Sequence, residues 1–560
     1  MTDPVERMMA AILRAPRDDA VRLRLADDLA ARGDPRGEFI RVQVELARLG
    51  RGTEEADQLA RRERELLARH EAEWVGPLAD WLLAWTFHRG FIEEVIVEAG
   101  TFLAHAEDLF GVAPVESLHV HEAGAVSAEF AACPYLARVR RLRFGSDDGD
   151  GEPLGDEGVA ALARSPHLTG LEGLTFALEQ IGAGGLRALA GAPWLRSLRS
   201  LGLAQNEVGD TALKSFLAAA PLEKLEVLNL DWTDAGGGTI EALAQSAALG
   251  ELRDLNLNSN EIGGTSLASL AASTRLPRLT VLDLSGVGLE EGGLKPLHGS
   301  PLLAQLTELR LEGNNRLGPA DLSGLLGSPS FPALTALSLG SVRFGDEGAE
   351  IVARAAVLHR LTRLAMCGSR LSGGGVRALA ASPHLANLEA LELFSNRGGS
   401  AAAQAVAASP TLAGLRRLGL SNNEVTDEGA KALAESAHLA RLRSLSLRAN
   451  PLTVTGVTAL AESAVLGQLR SLDLGYLGLN DDAAAVLAGS TPLANLASLV
   501  LASNKITGDG ARALASSAGL AFLAELDLRR NPIDADGAAI VRSKFGRRVR
   551  LGGAVYQILE

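Results

Sequence analysis

The sequence predicts an α/β solenoid, with short parallel strands along one side and helices along the other, preceded by a small, mainly α-helical N-terminal domain. Three observations predict this class. A strand-like segment followed by a helix-like segment recurs about every 27 residues, and roughly the first ninety residues lie outside that repeat. Hydrophobic residues make up 47% of the chain but aromatic residues only 4%. The core must therefore consist mainly of Leu and Ala, which favours many thin layers over one globular centre.

The central L-x-L of each copy marks the register of the repeat. Its first leucine falls at Leu142, at Leu174 and then at every 27 or 28 residues to Leu526, which gives fifteen clear copies. Two weaker copies precede them, around Val95 and Leu118. The alternation in L-x-x-L-x-L is typical of a short strand with one buried face. A unit this small cannot close a core alone, so stacked neighbours must bury the leucine faces together.

The second half of each repeat is predicted to be a helix. In "TDEGAKALAESAHL", Ala430, Leu433 and Ala434 lie at positions i, i+3 and i+4 and form one apolar face. Thr426 or Asp427 is predicted to cap this helix.

The repeat, with its signature L-x-x-L-x-L-x-x-N-x-[IVL] and a helix in every copy, resembles the leucine-rich repeat family, and within it the ribonuclease-inhibitor-like class. The resemblance extends from about Phe91 to the C-terminus. It implies a horseshoe with a concave parallel β-sheet and convex helices. In this family the asparagine side chain bonds backbone groups of the turn, in a ladder between repeats, so we expect a structural role for it. The position is occupied by Asn206, Asn260, Asn314, Asn396, Asn423, Asn450, Asn504 and Asn531. Between Leu201 and Leu337 asparagine alternates with other residues there, which predicts two repeat subtypes.

The N-terminal stretch "LADDLAARGDPRGEFIRVQVELA" predicts one helix, a sharp stop and a second helix. Gly33 fits a left-handed helix end, Asp34 can cap the next helix, and Pro35 fits its first turn. Three of the five tryptophans follow, at Trp74, Trp81 and Trp85, and indicate a separately packed core. Together with "RGFIEEV", the stretch resembles a bacterial repeat-companion domain over about the first 95 residues. That resemblance implies no reaction.

The predicted domains are therefore a helical companion domain and N-terminal cap at 1–90, a repeat array of about 15–17 copies at 91–535 and a C-terminal cap at 536–560. Caps are needed because a terminal layer would otherwise expose its leucine face. An alternative interpretation places an activity in the N-terminal domain, on a polar face made of Asp34, Arg36, Glu38 and Arg41. The competing interpretation is that these charges only solvate and cap two helices.

Composition argues against several classes of function. The formal net charge is −14, and generic nucleic-acid binding usually leaves a basic footprint. Neither a signal peptide nor an apolar run of the roughly 20 residues that span a membrane is evident. The two cysteines, Cys133 and Cys367, have no spacing typical of a zinc site or a disulfide framework. We therefore expect a cytoplasmic protein with no membrane or nucleic-acid partner.

Two segments carry residue types that can bind a metal ion. Asp148 and Asp150, in "GSDDGDGEPLGDEG", take calcium-loop positions, but Ser146 stands where the first ligand should be Asp, so a solvated acidic loop is the preferred interpretation. His119 and His121 are predicted to share one face of a strand and could bind a metal or sense pH, but no third ligand has clear spacing. Because P-loop, G-x-S-x-G and H-E-x-x-H motifs are also missing, we expect no catalytic residue, no cofactor and no metal.

The concave sheet is the expected binding surface, acidic in the middle and more basic towards its C-terminal half. The function expected is a non-enzymatic scaffold for a protein partner. The alternative, by analogy with ribonuclease-inhibitor-like proteins, is a regulator that inhibits or activates a hydrolase or GTPase. The candidate partner-binding residues on the concave face and its rim are Asn229, Asp231, Trp232, Asp254, Asn256, Asn258, Asp283, Glu308, Arg310, Glu312, Arg363, Glu392, Phe394, Arg417, Arg448 and Tyr476.

Overall fold

The computed structural model describes residues 4–49, 53–145, 151–327 and 331–552, and the chain divides into two compact units, Met1–Val287 and Gly288–Glu560. The first unit begins with four helices and a β-hairpin and continues as alternating strands and helices. Its elements are α1 Pro4–Arg14, α2 Asp19–Ala31, α3 Pro35–Leu49, α4 Glu54–Val75, β1 Ala84–His88, β2 Phe91–Glu98, α5 Ala99–Val112, β3 Ser117–His121, α6 Ser127–Ala131, β4 Arg141–Phe144, α7 Gly155–Ala163, β5 Gly173–Phe176, α8 Ala183–Ala190, β6 Ser200–Gly202, α9 Asp210–Ala219, β7 Val227–Asn229, α10 Gly237–Gln245, β8 Asp254–Asn256, α11 Gly263–Ala271 and β9 Val281–Asp283.

The second unit repeats the same alternation. Its elements are α12 Pro301–Gln305, β10 Glu308–Arg310, α13 Pro319–Leu326, β11 Ala336–Ser338, α14 Gly345–Arg354, β12 Arg363–Ala365, α15 Gly373–Ala380, β13 Ala390–Glu392, α16 Gly399–Ala407, β14 Arg417–Gly419, α17 Asp427–Ala434, β15 Ser444–Ser446, α18 Val454–Glu462, β16 Ser471–Asp473, α19 Asp481–Gly489, β17 Ser498–Val500, α20 Gly508–Ser516, β18 Glu525–Asp527, α21 Ala535–Phe545 and β19 Val549–Arg550.

The strands form parallel sheets in the predicted register. In the first unit β1 and β2 pair antiparallel, and each strand from β2 to β9 then pairs parallel with the next. Leu228, Leu255 and their counterparts lie directly opposite one another. In the second unit β10 to β19 pair in the same way. The repeat leucines are buried, and the residues on either side of them point to the opposite, open face of each strand. The α/β solenoid with helices ahead of it is thus confirmed.

The asparagine ladder is also confirmed. The Oδ1 atom of Asn450 accepts hydrogen bonds from the backbone of Asn423 and Val425 in the preceding repeat, at 3.0 and 2.9 Å. Its Nδ2 atom donates to the carbonyl groups of Leu420 and Leu447, at 2.9 and 2.8 Å. Equivalent Nδ2 bonds surround the other asparagines of the position and most of them also accept at Oδ1, whereas the buried Oδ1 atom of Asn423 has no hydrogen-bond partner among the described residues. These buried amides hold the turns of neighbouring repeats together.

A second ladder, made of serines, joins the helix ends. The hydroxyl of Ser436 donates to the carbonyl of Ala407 at 2.6 Å, and that of Ser463 donates to Ala434 at 2.6 Å. Each bond satisfies a carbonyl that the end of the preceding helix leaves without an intrahelical partner. The same contact is made by Ser165, Ser273, Ser382, Ser409, Ser490 and Ser517.

The predicted capping role of Asp427 in its own helix is wrong. Thr426 is the N-cap residue of α17, but its hydroxyl makes no capping bond, and Asp427 is the first residue of the helix. The Asp427 carboxylate instead accepts from the backbone of Thr453 and Gly456 at the start of α18, at 2.8 and 3.1 Å. One aspartate therefore caps the helix of the next repeat, because stacking brings successive helix N-termini side by side.

Backbone approaches closely at two places among the N-terminal helices and the hairpin, once between α2 and α3 and once between α3 and the hairpin. A methyl group at Gly37 would lie 2.5 Å from the carbonyl oxygen of Ala26, so α2 and α3 cross in near contact. Gly90 has φ +92° and lies against Ile40, and its N–H donates to Gln43 Oε1 at 2.6 Å. The predicted corner is confirmed as well, since Gly33 has φ +75° and α3 begins at the next proline.

Candidate protein-binding faces

The open side of β7, β8 and β9 carries amides and carboxylates. The strand register places Asn229 beside Asn256 and Asn256 beside Asp283. Each uses its Oδ1 atom to accept the backbone N–H two residues further on, at 2.8–2.9 Å. These three predicted binding residues thus also terminate their strands, and Asp283 is buried. The neighbouring Asp254 is half-buried on β8.

Asp231 and Asn258 follow two of these strands and contact each other. Asn258 Nδ2 donates to Asp231 Oδ1 at 2.8 Å. Burial raises the pKa of the Asp231 carboxyl above its ordinary value, the hydrogen bond from Asn258 opposes this, and the charge of Asp283 adds to it. We call Asn229, Asp231, Trp232, Asp254, Asn256, Asn258 and Asp283 the acidic face.

Trp232 is the most exposed large hydrophobic side chain of the described residues, with 61% of its surface accessible. Its backbone has φ +51°, in the left-handed region that bulky residues rarely adopt. One left-handed residue follows the strand in each of these repeats, and most of the others are Gly, Ser, Asn or Ala, as at Ser259, Gly286 and Asn422. A strained backbone that carries an exposed indole is a feature that packing alone does not require.

In the second unit, three predicted binding residues pair with one another. Glu308 on β10 accepts from Arg310 on the same strand at 2.6 Å and also from Arg363 on β12. The side chains of Glu308 and Arg310 are thereby partly occupied within the protein.

Glu312, Glu392 and Phe394 surround the buried thiol of Cys367. Glu312 accepts a hydrogen bond from the Ser338 hydroxyl, and Glu392 lies over Gly419 of the next strand. Burial raises the pKa of Glu392, although the nearby Arg417 opposes this. Phe394 is 49% exposed and adds an apolar surface beside these two carboxylates.

Arg448 and Tyr476 are in direct contact. The guanidinium carbon of Arg448 lies 4.2 Å from the centroid of the Tyr476 ring, within cation–π range. Tyr476 has φ +57° and occupies the same repeat position as Trp232. Its hydroxyl accepts from Arg530 Nη1 at 2.7 Å. Arg530 was absent from the sequence prediction, although the 27-residue register places it two repeats after Tyr476 at the same turn position.

The charged N-terminal run has structural contacts throughout. Asp34 accepts the backbone N–H of Arg36 at 2.8 Å, and the Arg36 guanidinium lies over the ring of Phe91 at 5.0 Å. Glu38 receives two hydrogen bonds from Arg62, at 2.6 and 2.7 Å. Arg41 pairs with Asp27 at 2.5 Å. These contacts favour the capping interpretation of this run over an active polar face.

Of the two candidate metal segments, the structure describes in full only the one that contains His119 and His121. Asp148 and Asp150 lie outside the described residues. His119 is buried with Nε2 2.5 Å from the carbonyl oxygen of Gly145, and its ring centroid lies 4.7 Å from that of His121. Within 4–49, 53–145, 151–327 and 331–552, no group of three or more His, Cys, Asp or Glu side chains could hold a metal ion.

No helix in the described part of the chain is both long and apolar enough to cross a membrane. The family model described as "Leucine Rich repeat" matches residues 252–271, 415–434 and 493–515. No curated protein matches the chain.

Solved structures that are similar to the chain include the following three. An internalin (InlF) from Listeria monocytogenes is 19% identical over 72% of this chain and 95% of its own, with a TM-score of 0.33. A TLR13–ssRNA13 complex is 18% identical over 75% of this chain and 56% of its own, with a TM-score of 0.42. The Rad7 and Elc1 complex of yeast is 17% identical over 68% of this chain and 82% of its own, with a TM-score of 0.39. The three matched segments carry leucine-rich repeats, and strand–turn–helix layers with the same register and asparagine ladder recur outside them.

Proposed function

We propose that the protein is a non-enzymatic scaffold that binds a protein partner on the open side of its strands. The observation that carries this proposal is Trp232, an exposed indole on a strained turn beside the Asp231–Asn258 pair. Exposed aromatic side chains dominate binding energies at protein interfaces. The remaining predicted residues belong to the proposal unit by unit: Asn229 to Asp283 in the first unit, and Glu308 to Tyr476 in the second.

The chemistry of the acidic face suits a basic segment of the partner. A Lys or Arg side chain can stack on an exposed indole while its charge meets neighbouring carboxylates. Asp231 and Asp254 are the carboxylates of this face that are not fully buried. Charges of one sign on a face also orient the partner and speed its encounter.

The proposal also includes the class of the repeats, the role of the N-terminal helices and the domain boundaries. The repeats would be of the ribonuclease-inhibitor-like class, and the N-terminal helices would be a companion domain that caps the array, with boundaries near 90 and 535. Support for the cap comes from the buried ion pair of Arg22 with Glu93 at 2.7 Å, which ties α2 to β2. The buried, unpaired thiols of Cys133 and Cys367 agree with a reducing, cytoplasmic location.

Affinity capture on the full chain tests the binding face. Wild type, Trp232→Ala and the double variant Asp231→Lys, Asp254→Lys are immobilised, and recovered proteins are quantified by mass spectrometry. Leu178→Ala is the matched control for the tryptophan, because Leu178 is exposed and holds the same left-handed repeat position. Glu207→Lys with Glu223→Lys is the matched control for the charge reversal, since both residues are exposed.

We expect at least one protein with a basic segment to be recovered by wild type and both controls. Its recovery should fall about tenfold or more with Trp232→Ala and with the double reversal, in keeping with loss of a binding hot spot. Equal recovery of every protein by all five chains would refute the acidic face as the binding site.

A further inference from the structure

Three side chains from different repeats meet where strands of the second unit end. Arg448 follows β15, Tyr476 follows β16 and Arg530 follows β18. Arg448 lies against the face of the tyrosine ring, at 4.2 Å, while Arg530 donates to its hydroxyl at 2.7 Å. We call Arg448, Tyr476 and Arg530 the basic rim.

The basic rim is formed at a cost in backbone strain. Tyr476 and Arg530 have φ of +57° and +56°, the conformation for which the neighbouring repeats use Ala449 and Ser503. A long side chain in this conformation strains the backbone, and such strain is concentrated at binding sites. The Tyr476 hydroxyl contacts Arg530, which lies two repeats further along the chain. The contact therefore depends on the residues that these particular repeats carry.

The two guanidinium groups of the rim are held by the tyrosine and not by an acid. Among the described residues, no carboxylate lies within ion-pair distance of Arg448 or Arg530. By contrast, Arg529 pairs with Asp527 at 2.7 Å.

Two aspartates of β16 and β18 accept local hydrogen bonds. Asp527 accepts the backbone N–H of Arg529 and two bonds from its guanidinium group. Asp473 accepts the backbone N–H of Gly475 at 2.9 Å. The rim therefore offers guanidinium groups that form no ion pair among the described residues, in a chain whose net charge is −14.

We propose that the basic rim binds carboxylate side chains of an acidic segment in a protein partner. Guanidinium groups offer forked donors that match carboxylates in two parallel hydrogen bonds. Both guanidinium groups contact the one tyrosine side chain, so neighbouring carboxylates of a single acidic segment can engage both arginines. This inference rests on the proposed function, because it assigns a contact of a protein partner to the second unit.

A labelled peptide of ten glutamates tests the proposal by fluorescence anisotropy with the full chain at low salt. Arg448→Ala and Arg530→Ala should each weaken binding about fivefold or more, and added salt should weaken it further, because exposed charges are screened. Tyr476→Ala should weaken binding similarly, whereas Tyr476→Phe keeps the stacked ring and should retain most of it. Arg377→Ala is the matched control, since Arg377 is exposed on α15 and its loss changes the net charge equally.

Three outcomes would overturn the proposal. The glutamate peptide fails to bind wild type; the rim variants bind it as well as Arg377→Ala does; or inorganic phosphate displaces it at concentrations at which acetate does not, which would make the rim a phosphate site. Trp232→Ala should leave this binding unchanged. Failure of the rim with retention of the Trp232-dependent partner would therefore leave the proposed function intact.

Discussion

At the scale of single residues, most polar side chains of the repeats have structural roles that the 27-residue register reveals. The asparagine ladder follows from the sequence, because one residue type recurs at one repeat position. The serine ladder recurs just as regularly, but a serine near a helix end is common enough that its partner in the previous repeat was not predicted. Trp232 and Tyr476 stand out for the opposite reason, since they replace small residues at a turn position.

Asn450→Ala should destabilise the protein by about 3 kcal/mol or more, because buried backbone groups left unpaired cost about 1–3 kcal/mol each. Asn450 serves two N–H groups and at least two carbonyl groups. Urea unfolding followed by circular dichroism measures the change. Asn422→Ala is the control, because Asn422 is exposed and bonds only to the Ser395 hydroxyl through its side chain. Equal losses in the two variants would contradict the ladder.

Cys367 should resist modification in the native protein. Burial raises the pKa of its thiol to about 12, and the charges of Glu312 and Glu392 contribute. Burial also raises the pKa of Cys133. Because only the thiolate reacts readily, a disulfide reagent at about pH 8 should modify the native thiols far more slowly than the thiols of the urea-unfolded chain. Rapid native labelling of Cys367 would contradict the packing of β12.

At the scale of elements, neighbouring helices stabilise one another's N-termini. The sequence predicted that acids begin these helices but assigned the cap to the wrong helix, since a single repeat considered alone offers no other partner. Stacking supplies one: Asp210 at the start of α9 accepts from Gly236, Gly238 and Thr239 of the next repeat, at 2.6–3.0 Å. The N-terminal corner was predicted correctly, whereas its charged run could be explained only when Phe91, Arg62 and Asp27 were in place.

Asp210 should contribute a pH-dependent part of the stability. Burial tends to raise the pKa of its carboxyl, but hydrogen bonds from Thr239, Gly236 and Gly238 outweigh this and lower it. A lowered folded-state pKa stabilises the fold above the unfolded-state value of about 3.9, and this contribution is lost as pH falls through the folded-state pKa. Asp210→Asn should therefore reduce the loss of unfolding free energy between about pH 6 and pH 3. Identical pH profiles for wild type and Asp210→Asn would contradict the cap.

The close crossing of α2 and α3 can be tested by adding a single methyl group at Gly37. Gly37→Ala should destabilise the protein by about 1–3 kcal/mol, as forced packing does, because its methyl group would meet the backbone of Ala26 and Ala30. Gly111→Ala is the control, since it lies on the exposed side of α5 with open space around it. That change should stabilise the protein by about 0.5–1 kcal/mol through helix propensity. Thermal unfolding distinguishes the two, and a stabilising Gly37→Ala would contradict the close crossing.

At the scale of the whole molecule, the repeat leaves each unit with one side formed by helices and one side formed by strand residues that do not pack inward. The sequence sufficed for the strand register, the buried leucines and the asparagine ladder, because all three are periodic. The binding surface is not periodic. Its predicted residues include Asn229, which terminates a strand, and Glu308, which holds Arg310, and these roles depend on neighbours that only the folded chain brings together.

The central claim is that the strand side around Trp232 contacts a protein partner. Site-specific photo-crosslinking tests it most directly, with benzoylphenylalanine placed at Trp232 and, for comparison, at exposed Arg187 on α8 in a second chain. The account predicts one protein crosslinked from position 232 and not from 187, with the crosslink mapped beside Lys or Arg residues of that protein. The same set of crosslinked proteins from both positions, or none from position 232, would contradict it.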